Sequence, residues 1–143
     1  MDSRPRRPRT PPAPLESARR AERQGADIEA AISGLLYLSE NDYPWTYNPV
    51  PKPRLSDWLR SWEGSTLEQR RTFGAFFRQL KDPALTGDDA ERYRVLERVL
   101  RQHFNHLTVY WVVDPADPVA VRMVILGQNR LGVFALETVS IET

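Results

Sequence analysis

Three stretches decide the fold: LTVYWVV at 107–113, VAVRMVILG at 119–127 and LGVFALETVSI at 131–141. Apolar side chains recur in them with a period of two, the signature of strands rather than helices. The linkers DPADP (114–118) and QNR (128–130) have hairpin length and are rich in turn formers, so the spacing predicts an antiparallel meander. Both of its faces are apolar: Val109, Trp111 and Val113 alternate with Tyr110 and Val112, and Met123 and Ile125 with Val124 and Leu126. A sheet that is apolar on both sides has to be covered on both sides.

Working outward, the upstream sequence offers helices for that purpose. Ile28, Ile32, Leu35 and Leu36 lie on one helical face and predict a helix over 27–39, with Asp27 as N-cap, stopped by the turn-forming SENDYP. Aromatic residues in 43–47 favour a short strand, and Pro44, Pro49, Pro51 and Pro53 confine it to a sheet edge or an extended loop, because proline donates no backbone hydrogen bond. SDWLRSW (56–62) reads as a short helix capped by Ser56. A helix over 65–80 follows, with Leu67, Phe73, Phe76, Phe77 and Leu80 as its stripe, then a longer one over 88–105 that buries Tyr93, Leu96, Val99, Leu100 and Phe104. The expected fold is α+β: an α/β/α sandwich in which a mainly antiparallel sheet is covered by helices on both faces, helices 27–39, 65–80 and 88–105 supplying the cover.

A chain of 143 residues suits one compact domain. Its 41% hydrophobic and 27% charged residues resemble an ordinary globular protein, so the chain is expected to fold. No apolar run is long enough to span a bilayer and 1–26 lacks the apolar core of a secretory signal, which predicts a cytoplasmic protein without membrane contact. Cysteine is absent, which excludes disulfides and thiolate chemistry. Residues 1–26 carry seven arginines against three acids, a net +4, while the remainder has 13 basic against 16 acidic residues, a net −3. Rich in proline and poor in apolar side chains, 1–26 is expected to be a disordered basic tail, with a polar helix starting near Ser17 and breaking or bending at Gly25; 27–143 forms the domain. The tail's charge offers nucleic acid only a weak contact.

No catalytic constellation emerges. His103 and His106 have a spacing that would suit one metal, but no third ligand accompanies them, and a helix C-terminus favours histidine on electrostatic grounds alone. GQNRLG (127–132) has the glycines of a phosphate loop without the Lys-Ser/Thr that follows them, and reads as a turn. Arg70, Arg71, Arg78, Arg92, Arg94, Arg98 and Arg101 are interspersed with Glu68, Glu91 and Glu97, the pattern of a solvated mixed face. The chain is therefore read as a binding protein, with no catalytic residues, no cofactor and no metal of its own. Two acid-bearing tips remain as candidate contacts. One is the loop with Glu40 and Asp42 ahead of Tyr43 and Trp45; the other is the end of the last strand, with Glu142, the Thr143 hydroxyl and a free carboxylate.

The stretches GLLYLSENDYPW (34–45) and LETVSIET (136–143), with FGAFFRQL (73–80) and DDAERYRVLERVLRQHF (88–104) between them, resemble the nuclease A inhibitor family. The resemblance covers about 27–143 and is poorest over 46–70. It implies a stoichiometric protein inhibitor that blocks the active site of a metal-dependent, sugar-non-specific DNA/RNA endonuclease. By matching position, it implies that Thr143 approaches the partner's metal and that Glu40 supports contact beside it. Asp42, Tyr43, Trp45 and Glu142 join the candidate partner-binding set because they flank the two tips. The alternative is a protein-binding adaptor or immunity-like module on the same scaffold.

Overall fold

The computed structural model describes residues 14–143, so residues 1–13 of the tail expected for 1–26 lie outside the described residues. In chain order the elements are α1 (Pro14–Ile32), β1 (Leu36–Tyr37), β2 (Tyr43–Pro44), β3 (Thr46–Lys52), α2 (Leu55–Ser61), β4 (Thr66–Glu68), α3 (Phe73–Leu80), α4 (Pro83–Thr86), α5 (Asp89–His103), β5 (His106–Asp114), β6 (Asp117–Asn129) and β7 (Gly132–Ile141). The meander predicted from the period of two is present as β5, β6 and β7. β3 and β4 extend it to five strands in the order β3-β7-β6-β5-β4, every pairing antiparallel. The proline-rich β3 sits at a sheet edge, and its register shifts between Asn48 and Lys52, where Pro49 and Pro51 cannot donate to a ladder.

Alternation along the strands builds two cores. On one face Val109, Trp111, Val121, Met123, Ile125, Phe134 and Leu136 pack with Ile28 and Ile32 of α1, the aromatic stripe of α3, and Tyr93, Leu96 and Leu100 of α5. On the other, Tyr110, Val112, Val124, Leu126, Val133 and Ala135 are covered by Trp58 of α2 and the adjacent Trp62. Both faces are covered, but not by the expected distribution. Helices α1, α3 and α5 share one face, and the second is closed by α2 and the residue that caps it, Trp58 and Trp62 supplying the two indoles; Trp58 is fixed by donating Nε1 to the Val133 carbonyl (2.7 Å).

Local boundaries differ where packing overrides pattern. The polar helix expected from near Ser17 within the tail is present, but it starts at Pro14 and passes through Gly25 without a break as the first part of α1. Gln24 is 1% exposed and bonded within the fold, and that anchoring extends the helix towards its N-terminus. Asp27 is consequently inside the helix rather than at its cap, and its carboxylate meets His103 Nε2 at 2.8 Å. α1 ends at Ile32, not near 39: Gly34 takes φ 73°, a left-handed turn that side chains disfavour, and the chain leaves as β1. The helix expected over 65–80 is divided. Thr66–Glu68 pairs with β5 and covers the sheet edge, and α3 starts only at Phe73, where the Thr72 hydroxyl caps it by accepting from Ala75 N (3.1 Å). Arg54 rather than Ser56 is the N-cap of α2; its backbone N–H donates to Asp57 Oδ2 at 3.0 Å.

Candidate functional site

Two segments far apart in sequence meet at one end of the sheet. β1 and β2 pair antiparallel, Leu36 with Pro44 and Tyr37 with Tyr43, so residues 38–42 project as a loop. β7 runs alongside and ends beside it. The buried Thr138 hydroxyl lies 2.9 Å from the Pro44 carbonyl and 3.3 Å from that of Tyr43, and donates to them. Ser39 Oγ accepts from Ile141 N at 3.1 Å and donates to Asn41 O at 2.7 Å. These bonds tie the loop to the last strand. At their outer end the exposed Thr143 hydroxyl donates to the exposed Glu40 carboxylate.

The remaining candidates divide by environment. Asp42 is exposed on the same loop, and Tyr43 is half-buried within β2. Glu142 is held by two partners: its N–H donates to Val119 O at 2.7 Å, and both carboxylate oxygens accept from Arg70 Nη1, at 3.0 and 2.8 Å. Arg70 also donates Nε to Glu68 at 2.6 Å and lies 5.7 Å above the Trp111 ring. Partial burial works to lower the Arg70 pKa, but its bonds to Glu142 and Glu68 outweigh that and raise it. Burial, with the charge of Glu142 adding to it, raises the pKa of the nearby Tyr37 hydroxyl.

Trp45 is a correction to the candidate set. It is 3% exposed, packs edge-on against Phe76 and Tyr37, and donates Nε1 to the Tyr93 hydroxyl at 3.0 Å. Tyr93 passes the bond on to the Leu36 carbonyl at 2.8 Å. Trp45 therefore supports the loop from beneath and presents no surface to a partner. Arg70, Thr138, Ser39 and Tyr93 were missing from the sequence-derived set. Of these only Tyr93 had a usable signal, its place on the buried face of a helix; Arg70 had been assigned to the middle of one. His103 turns to Asp27, and among the described residues no group of three His, Asp or Glu side chains is arranged to hold a metal.

Fold and site together define a small α+β protein whose carboxylates and hydroxyl are gathered on a tip built from an internal loop and a strand end. A family model described as nuclease A inhibitor-like protein matches residues 23–143, and the chain belongs to that family. No curated protein matches the chain.

Proposed function

We propose that this protein is a stoichiometric inhibitor of a metal-dependent, sugar-non-specific endonuclease, and that its tip enters the nuclease active site. The observation that carries the reading is the contact of Thr143 with Glu40, which gathers a hydroxyl and a carboxylate at one projecting point. A nuclease of this class stabilises the phosphodiester transition state with a divalent metal and cationic groups. Hard oxygen donors suit the metal, and carboxylates suit the cations. Thr143 is the group directed at the partner's metal, Glu40 orients it and faces the cationic residues, and Asp42 and Tyr43 border the contact. Glu142 acts from behind, because Arg70 already engages its carboxylate.

The test is a titration of the full chain against a magnesium-dependent, sugar-non-specific endonuclease with plasmid nicking as readout. A one-to-one end point is expected. Glu40→Lys and Thr143→Ala should each raise the inhibition constant by about 100-fold, the scale of losing a central charged contact. Both positions are exposed, so the circular dichroism spectrum should not change. Inhibition unaffected by either substitution would refute the reading.

A further inference from the structure

At the opposite end of β7 from Thr143 the chain forms a second feature. β7 is ten residues long, so its two ends are about 30 Å apart. There the β6–β7 turn, the middle of α1 and the C-terminal end of α5 enclose a cleft of about 250 Å³. Arg20, Arg23 and Arg130 line it, and none of its lining residues is acidic.

The floor of the cleft is a closed hydrogen-bond network. Gln24, 1% exposed, donates Nε2 to the Tyr47 hydroxyl at 2.9 Å and accepts at Oε1 from Asn129 Nδ2 at 2.7 Å. Asn129 Nδ2 also donates to the His103 carbonyl at 2.8 Å, and its Oδ1 accepts from Leu131 N at 2.9 Å. This network fixes the turn carrying Arg130 against the helix carrying Arg20 and Arg23. Arg20 is paired with Glu16 at 2.7 Å, and the His103 ring with Asp27. Arg23 and Arg130 have no carboxylate partner among the described residues. Two guanidinium groups without a carboxylate partner, held around a small polar cavity, create a positive potential that Glu16 and Asp27, each engaged elsewhere, offset only in part. A planar donor fork binds the oxygens of carboxylate or phosphate bidentately, and several forks around one cavity suit the larger number of acceptor oxygens on phosphate.

We propose that this cleft binds a phosphate group, with Arg23 and Arg130 as its principal donors and Arg20 completing the ring. The volume lies just below the ~300 Å³ at which small-ligand sites begin, which suits one phosphate and a small attachment. A free phosphate or monoester and a phosphodiester of a nucleic-acid strand share this chemistry. The site is independent of the inhibitory tip, because no residue is common to both.

The test is a nuclear magnetic resonance titration of the isotope-labelled full chain with inorganic phosphate and, separately, with an eight-nucleotide thymidine strand, at constant ionic strength balanced by chloride. Saturable shifts are expected at the Asn129 side-chain amide and at the Nε–H groups of Arg23 and Arg130. The R23A/R130A double variant, altered at exposed positions only, should keep its melting temperature and bind at least tenfold more weakly. Tighter binding of the strand than of phosphate, lost in that variant, assigns a phosphodiester; equal or weaker binding assigns the free anion or a monoester. Absence of saturable shifts with both probes would overturn the proposal. So would unchanged affinity in the double variant, which would assign the binding to other cations.

Discussion

Tyr93 joins the long helix to the loop behind the tip: its hydroxyl accepts from Trp45 and donates to the Leu36 carbonyl in one chain of bonds. Tyr93→Phe keeps the ring and removes the oxygen, which leaves a buried indole N–H and a carbonyl without partners. A loss of about 1–3 kcal/mol is expected, the penalty for such orphaned groups, measured by urea unfolding with Trp fluorescence. Arg70 has a different role. Its ion pair with Glu142 is about one-third exposed on each side (33% and 36%), so the pair contributes under ~1 kcal/mol to global stability. Its effect should be local: Arg70→Met is expected to leave the melting temperature nearly unchanged while amide hydrogen exchange at residues 141–143 accelerates severalfold. Unaltered exchange there would show that Arg70 does not fix the end of the chain.

At the scale of elements, β6 and the end of α5 approach closely at Gly127. A methyl group built on Gly127 would lie 2.5–2.7 Å from the Phe104 ring, inside van der Waals contact. Gly127→Ala is expected to destabilise by about 1–3 kcal/mol, as overpacking does, and a thermal melt unchanged from the parent would contradict that packing. Strands β5 to β7 were legible in the sequence because both faces are buried over their central residues, 109–112, 123–126 and 133–136, where consecutive residues are apolar. The prolines limited the segment around β3 to a sheet edge or an extended loop, because proline forbids a ladder on both sides, and the structure takes the edge. β4 was not. Thr66–Glu68 is only three residues long, and its pairing with β5 is a tertiary choice that a helical reading of 65–80 accommodates equally well. The candidate site divides in the same way. Glu40 and Thr143 were readable as an acidic loop and a strand end, but the core position of Trp45 depends on Tyr93, 48 residues away, and no local pattern reports that bond.

For the molecule as a whole, stability should depend on alkaline pH through one buried and two partly buried phenols. Tyr37, Tyr47 and Tyr93 all have hydroxyl pKa values raised above the usual 10.0, burial being the largest cause in each. The unfolded chain releases these protons near pH 10 while the folded chain retains them, so the unfolded state is favoured as pH rises. Their contribution is fully present below about pH 10 and is lost as pH climbs through the raised values. The urea midpoint should therefore be level between pH 8 and 9 and fall between 10 and 12; a midpoint constant to pH 11 would contradict it. The junction of Glu40 with Thr143 also has a consequence in time. The two residues are 103 positions apart, and a ribosome adding about 5–20 residues per second finishes the second about 5–20 s after the first. Throughout that interval the nascent polypeptide carries the loop without the strand that packs beside it, so the two-segment tip assembles only after residues 136–143 have been added.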